Sequence, residues 1–518
     1  MSKVDILWVD DEIDFLKPHI LFLEQKGFTI HVANNGNEAL DMIEANNFDI
    51  VLLDENMPGL SGLEVLTMIN QTKPNLPVVM ITKSEEEHIM NDALGSNISD
   101  YLIKPVNPNQ IWLSLKKIIE NNELKLKKQL SNYHQEFRNL SMQISEANSC
   151  SDWIDIYKKI IYWELELEKL KDDNISEFIQ SQKEEANIQF CKFYQNNYLS
   201  WLKPDSSSKP DFSHTVLKNR LFPKIKNDNS LFLIVIDNLR YDQWKILEPI
   251  ISQYFRIAED DVYFSILPTA THYARNALFS GMMPSEIKKK YPQYWIDESA
   301  EENKNKHEQQ LFAEYLKRYG LGDKFHFWKV LNMDFGRKMV ESVNDYFHNP
   351  INVVIYNFID MLSHARTDVE LIRELASDEA AYRSVTISWF EHSSLFDLLK
   401  KLSENKIPVV ITSDHGTIKV TNPVKILGDK NINANLRYKV GKTLGGYNPK
   451  EVFEIPRPEK VYLPIENISN TFVFSQNNDF FVYPNNYNHY VNYYKNTFQH
   501  GGISLEECLV PFVKLIPR

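Results

Sequence analysis

The chain of 518 residues is poor in cysteine: Cys150, Cys191 and Cys508 are odd in number, far apart and without metal-finger spacing, which argues against a disulfide framework. No run approaches the roughly 18 to 20 apolar residues that a membrane-spanning helix needs. The opening segment MSKVDILWVDDE reaches acids within five positions and lacks the apolar core and small-residue cleavage site of a secretory signal. A cytoplasmic location is expected. Positive charge is also short, with 57 Lys and Arg against 70 Asp and Glu and a net charge of −13. That balance disfavours neutralising duplex phosphates, and no helix-turn-helix pair with a basic recognition face is present, so no duplex DNA binding is expected. A nucleotide held through metal ions remains compatible with it.

What is present describes a folded protein, 43% hydrophobic and 25% charged. Its length suggests roughly three units at about 150 residues each. We expect an α/β multidomain chain divided into 1–122, 123–205 and 206–518.

The first segment alternates short apolar runs (VDILWVDDE, TIHVAN, FDIVLLDENMPG, LPVVMITKS, SDYLIKPV) with amphipathic stretches, a rhythm that predicts a doubly wound parallel sheet. Asp10 and Asp11 end one run and Asp54 ends another. Such a sheet brings the three carboxylates to one edge, where a hard divalent ion such as Mg²⁺ fits them. Thr82 after VVMI, and Lys104 before Pro105, complete a pattern that resembles the receiver domain of bacterial response regulators, with a flavodoxin-like fold. The resemblance implies that Asp54 accepts a phosphoryl group and that Asp11, Asp54 and the Asn56 carbonyl hold Mg²⁺, with Asp10 assisting. It also implies that Lys104 pairs with the phosphoryl oxygens, Thr82 moves to meet them, and Tyr101 is the aromatic switch. A sensor histidine kinase would be the partner.

From about 110 to 203 the composition is rich in Lys, Glu, Leu, Gln and Asn and free of proline. Apolar residues recur at helical spacing, as in Ile156, Ile160, Tyr162 and Trp163, then Phe190, Phe193 and Tyr194. Two to four helices forming a connector bundle are expected, their charges on solvated faces. PDSSSKPD, 204–211, is the clearest linker signal.

The remainder carries the chemistry. SLFLIVID is a buried strand ending in Asp237, although an acid there also caps a following helix. Thr271 in PTATHYARN sits where a helix begins; it is an N-cap or, beside a dication that lowers its pKa, a nucleophile. Asp360 and His364 follow VVIY four residues apart, on one face of a helix. IPVVITSDHGT delivers Asp414 and His415 from a strand end, an oxygen and a nitrogen ligand of the kind zinc accepts, and Gly416 lets the chain turn away. His500 precedes Gly501 and Gly502 before the last strand-like run.

This order resembles the alkaline phosphatase superfamily in its PglZ-type branch, from about residue 215 to the end. The resemblance implies two Zn²⁺: one held by Asp360, His364 and His500, the other by Asp237, Thr271, Asp414 and His415. It makes Thr271 the nucleophile of a phosphodiesterase acting on small linear or cyclic nucleotides, with Thr269 in support. No cysteine lies in the nucleophile segment, which argues against sulfatase chemistry. Arg275, one turn beyond Thr271, is a candidate for gripping phosphate. Between 420 and 495, RYKVGKTLGGYNPK and a tyrosine-rich stretch suggest either nucleotide stacking or a cap or dimer surface.

A receiver, helices and a PglZ-type domain in one chain resemble the response regulators of type IX secretion. That implies a partner histidine kinase of that system, and we expect phosphorylation at Asp54 to promote a receiver-mediated homodimer. It leaves two other outputs open: a module binding a sigma factor or secretion component with only a structural metal, and a metal-dependent phosphomonoesterase.

Overall fold

The computed structural model describes residues 4–73, 76–83, 98–169, 173–203, 208–225, 230–376, 378–428, 433–466 and 470–518. Residues 204–207 of the expected linker lie outside them. The chain forms two compact units, Met1–Glu136 and Phe137–Arg518.

In the first unit β1 (Val4–Val9), β2 (Phe28–Ala33), β3 (Ile50–Asp54), β4 (Val78–Thr82) and β5 (Asp100–Ile103) form a parallel sheet in the order β2-β1-β3-β4-β5. Alternate strand residues point to opposite faces. Leu7, Val9, Val51, Leu53 and Met80 therefore pack one core with α2 (Gly36–Ala45) and α3 (Gly62–Thr72). Ile6, Trp8, Ile50, Leu52, Val79 and Ile81 pack the other, with Leu23 of α1 (Lys17–Gln25) and with Ile111 and Leu115 of α4 (Pro108–Glu146). Ser61 and Glu64 cap α3 reciprocally. A Cβ on Gly62 would lie 2.3 Å from the Asp54 carbonyl oxygen, so glycine lets α3 start directly against the end of β3.

The second unit is built on a six-stranded mixed sheet. Strands β6 (Phe232–Ile236), β7 (Phe255–Phe264), β8 (Phe325–Val330), β9 (Ile351–Tyr356), β10 (Val409–Thr412) and β11 (Leu509–Pro517) run in the order β7-β11-β10-β6-β9-β8. β10, β6, β9 and β8 are mutually parallel, and β11 is antiparallel to both neighbours. All five side chains of β6 are buried apolar groups. At about 2 kcal/mol each they offset the burial of the acid that follows, which is how a strand of this kind carries a carboxylate into the interior.

Helices α5 (Cys150–Glu168) and α6 (Asp173–Trp201) realise the expected connector periodicity, but they do not form a separate bundle core. Trp153, Ile156, Tyr157, Phe190, Tyr194 and Tyr198 share one core with Phe212, Phe264 and, on α7 (Tyr241–Ile251), Trp244 of the α/β part. Tyr162, expected on the apolar face, is 57% exposed. The expectation that the connector charges lie on solvated faces fails at Lys183, which is 5% exposed and paired with Glu164 and Glu506. Burial against a polar part of the α/β domain converts a surface charge pattern into an internal one.

The stretch 420–495 folds onto the same unit. Tyr438–Gly441, Thr471–Ser475 and Val452–Ile455 make an antiparallel sheet, and Asn422–Lys425 pairs with Asp479–Val482. Arg437 and Lys439 of its RYKVGK segment turn inward, so they do not offer a basic surface to a nucleotide. Arg437 grips Glu507 through two nitrogens, Nε at 3.1 Å and Nη2 at 2.5 Å, and Glu507 accepts from the Gly502 amide.

Candidate metal and phosphoryl-transfer sites

The parallel strands deliver their acids as the alternating pattern predicts. In the first unit Asp10, Asp11 and Asp54 lie at the C-terminal ends of β1 and β3, with ligand atoms within 4.8 Å of one another. Asp10 and Asp54 are buried and Asp11 is exposed. Lys104 Nζ reaches Asp10 at 2.8 Å and Asp54 at 3.1 Å. Burial opposes its charge, but hydrogen bonds and attraction from both acids outweigh this and raise its pKa. Burial likewise raises the pKa of Asp54, with Lys104 acting against it. Asn56 follows two residues after Asp54 in the loop to α3. The Thr82 hydroxyl donates to Glu55, and Tyr101 at the edge strand is half-buried. Sequence reasoning passed over Glu55, whose position beside Asp54 was the only signal.

In the second unit the sheet collects two ligand sets. Asp237 after β6 meets Asp414 and His415 after β10. Asp360 and His364, on helix α10 (Phe358–Asp368) after β9, meet His500. Within each set the ligand atoms lie within 4.8 Å of one another. The sets adjoin, since the His415 and His500 rings stack at 4.3 Å. They differ in access: Asp237, Asp414 and His415 are fully enclosed, whereas the His364 side chain is 61% exposed.

Thr271 begins helix α8 (Thr271–Ser280), whose N-cap Ala270 gives no side-chain cap. Its Oγ1 lies 2.9 Å from His415 Nε2 and 3.4 Å from Asp237 Oδ1. A hydroxyl in the first turn of a helix faces its positive dipole end, which suits an approaching anion. Thr269 Oγ1 donates to the Gly502 carbonyl and accepts from the Gly501 amide, tying the segment that carries Thr271 to the His500 loop.

The donor chemistry fits divalent metal. Asp414 Oδ2 is buried with no hydrogen-bond partner. Burial, then Asp237, pushes the Asp414 carboxyl up to about 6, and the same two causes raise Asp360. Burial, then the neighbouring His415 and His364, holds His500 well below the usual imidazole range. Imidazoles beside crowded carboxylates form a nitrogen and oxygen set of the kind zinc takes.

Arg275 does not face the site mouth. Its Nη1 lies 2.6 Å from Asp237 and its Nε 2.5 Å from Glu308 of α9 (Glu308–Arg318), and the group is 2% exposed. It is a brace beneath the ligands. Asn238 also escaped sequence reasoning: at φ 65° its amide approaches Asp414 and its side chain approaches Asp360, both at 3.4 Å. An Asn directly after a strand-end acid was the available clue, because Asn tolerates the left-handed region.

Carboxylates with an amine at one sheet edge, and paired acid and imidazole sets around a hydroxyl at another, are the arrangements of a receiver and of an alkaline phosphatase-like domain. The chain belongs to the family described as the BREX system PglZ alkaline phosphatase-like domain, matched over residues 216–515. It also matches the response regulator receiver domain over 6–116 and the PorX response regulator linker domain over 123–202, so its architecture is PorX-like. It combines a flavodoxin-like receiver, a helical linker and an α/β PglZ domain with a mixed sheet. The PglZ match supports a phosphohydrolase of the alkaline phosphatase superfamily, and domains of both kinds generally use metal ions, Mg²⁺ in receivers. The receiver implies a phosphodonor such as a histidine kinase.

The transcriptional regulatory protein SrrA of Staphylococcus aureus is 33% identical over 119 residues, 23% of this chain and 49% of that protein. The chain thus spans about half the length of the curated relatives it matches. Solved receivers are also similar. A CheY-like receiver domain protein from Methanospirillum hungatei JF-1 is 27% identical, covering 24% of this chain and 99% of that one with a TM-score of 0.23. The response regulator TrrA of Thermotoga maritima, solved with Mg²⁺ and BeF, is 33% identical, covering 22% and 97% with a TM-score of 0.21. Among the described residues no helix is long and apolar enough to cross a membrane.

Proposed function

We propose that the chain is a two-component response regulator, phosphorylated on Asp54 by a sensor histidine kinase, whose output is a two-zinc phosphodiesterase acting on small linear or cyclic nucleotides. The observation that carries this reading is the Thr271 hydroxyl, 2.9 Å from His415 Nε2 and 3.4 Å from Asp237, at the head of α8 beside two three-ligand sets. Asp237, Asp414 and His415 would hold one metal with Thr271, and Asp360, His364 and His500 the other. Bound there, zinc supplies Lewis acidity and charge neutralisation at the reacting phosphorus. The Thr271 oxygen attacks phosphorus as its proton passes to solvent; the bond to the leaving alkoxide breaks and that oxygen takes a proton from solvent, and water then hydrolyses the phosphothreonine, releasing the phosphomonoester and restoring the hydroxyl.

A diester fits better than a monoester because Arg275 is engaged by Asp237 and Glu308 and is not turned toward the extra anionic oxygen of a monoester. In the receiver, Asp10, Asp11, Asp54 and the Asn56 carbonyl would hold Mg²⁺, with Lys104, Thr82 and Tyr101 reading the phosphoryl group. Phosphorylation then promotes a homodimer and tunes the hydrolase in type IX secretion. The test compares aryl phosphodiester and aryl phosphomonoester hydrolysis by the purified full-length protein, zinc-loaded and zinc-stripped, with and without a phosphoryl mimic. Diester cleavage abolished by chelation supports the reading. A monoester preference, or hydrolysis indifferent to chelator, sinks it.

A further inference from the structure

One buried cation, Arg240, meets the segments that carry Asp237, Asp414 with His415, and His500, and through Tyr382 the turn that carries Asp360. It lies three residues after Asp237 and is fully buried. Its guanidinium sits 5.5 Å from the Tyr382 ring and 5.3 Å from the Phe498 ring, and those rings stack at 4.2 Å. Phe498 stands two residues before His500. The Tyr382 hydroxyl, on α11 (Glu379–Glu391), donates to the carbonyl of Ile359, which precedes Asp360. A Cβ on Gly416, just after Asp414 and His415, would lie 3.3 Å from Arg240 Cγ, so that turn is seated on the arginine stem.

The same arginine is the inner end of a charge network whose outer end belongs to the linker helices. Arg240 donates to Asp242 at 2.9 and 2.6 Å and to Glu379 at 2.6 Å. Asp242 also accepts from Arg383 at 2.9 Å. Arg383 in turn donates to Glu164 at 2.9 Å and Glu168 at 2.5 Å, both on α5. Lys183 of α6 pairs with Glu164 at 3.1 Å and Glu506 at 3.2 Å. Asn187 of α6 donates to Glu506 and accepts from the Leu505 amide, five residues beyond His500. Asp242, Lys183, Arg383 and Glu506 are each at most 5% exposed. At these buried members water cannot compensate a displaced charge, so moving one obliges the next to move, whereas Glu379 at 21% and Glu168 at 35% exposed form the solvent edge of the network.

We propose that Arg240 is the positioning residue for both ligand sets, and that α5 and α6 hold it in register through Glu164, Glu168 and Lys183. The linker helices are thereby part of the metal site and set its affinity, which makes them the place where regulation of the hydrolase acts. This rests on the two-metal reading above. Groups that orient metal ligands typically change affinity by roughly 10- to 100-fold when altered.

The experiment titrates zinc into the full-length protein against a chromogenic chelator, for wild type, Arg240→Lys, the pair Glu164→Gln with Glu168→Gln, and Tyr382→Phe. The melting temperature of each is recorded with and without zinc, together with kcat and KM. Zinc binding weakened by about tenfold or more, a smaller zinc-induced rise in melting temperature and a fall in kcat exceeding the change in KM are expected. A merely structural role would lower the melting temperature equally with and without zinc. Folded variants that bind zinc as wild type does, with unchanged kcat, overturn the inference. Should the glutamate pair fail to fold, Tyr382→Phe, which removes one hydroxyl, decides by the same criteria. A wild-type protein that binds no zinc overturns the two-metal reading itself, a separate outcome from insensitive variants.

Discussion

The receiver and the output domain both gather carboxylates at the C-terminal edge of parallel strands, yet they balance the charge from opposite sides. In the receiver the counter-charge is Lys104, 16% exposed at the mouth, on a flexible stem between Asp10 and Asp54. It can turn to meet new oxygens. In the output domain the counter-charge is Arg275, 2% exposed beneath the acids and held by Asp237 and Glu308 at once. It cannot leave, so the mouth keeps a deficit of positive charge that the proposed metals would fill. A mobile cation suits a switch, and a fixed one suits a preorganised reaction site.

The sharpest break in the comparison is at the nucleophile. Thr271→Ala is expected to lower diester hydrolysis by about 10³-fold or more while zinc content, measured by elemental analysis, stays at the wild-type level; full activity in this variant would remove Thr271 from the chemistry. Next come the two counter-charges. Arg275→Met leaves Asp237 buried without its cation, while Glu308 keeps only Lys329 at 2.9 Å, and should lower the stability of the second unit by roughly 3–5 kcal/mol, seen as a fall in chemical denaturation midpoint. Lys104→Met should leave that transition unchanged. Its effect is to suppress the response of hydrolysis to a phosphoryl donor. If both variants destabilise equally, the contrast between mobile and fixed counter-charge is wrong.

Asp54→Asn tests the division of labour: labelling by acetyl phosphate should vanish, and hydrolysis without a phosphoryl donor should stay within about threefold of wild type, a change worth under 1 kcal/mol. The smallest expected effect concerns a second buried lysine. Lys439, 1% exposed, donates to the Asn433 carbonyl and lies over the Tyr483 ring, and burial pushes its pKa down to about 7. The unfolded chain holds that proton up to about pH 10.4, so it binds more protons than the fold between those values and stability rises with pH across them. Below pH 7 the penalty is complete; above about 10.4 it is gone. Lys439→Met should therefore raise the melting temperature most at pH 7 and below, with the advantage shrinking toward pH 10. An advantage that grows with pH would contradict the burial argument.

How much of this could be read along the chain depended on distance in sequence. Asp10, Asp54, Asp237, Asp414 and His415 each end an apolar run, and a parallel sheet carries every such end to one edge, so strand-end position alone foretold their company. Asp360 and His364 were legible because four residues on a helix share a face. Arg240, Arg383 and Glu164 were not. Glu164 and Arg383 are 219 positions apart, and in the sequence each looks like an ordinary solvated charge. The inward turn of Arg437 and Lys439 was hidden for the same reason, and Arg275 was misjudged because helical spacing gave its distance from Thr271 but not its direction.

Local periodicity and the identity of residues at strand ends thus determined, in sequence alone, a parallel α/β first segment, the helices after it and most of the side chains that meet at the edge of the second sheet, while resemblance supplied the receiver and the PglZ-type domain. Only the tertiary structure decided which charges are buried, which cation braces the ligands from below, and that the linker shares the core of the output domain. The physical reason is that burial is a property of what packs against a residue, and for a charge it is burial that turns a solvated group into one that must find a partner.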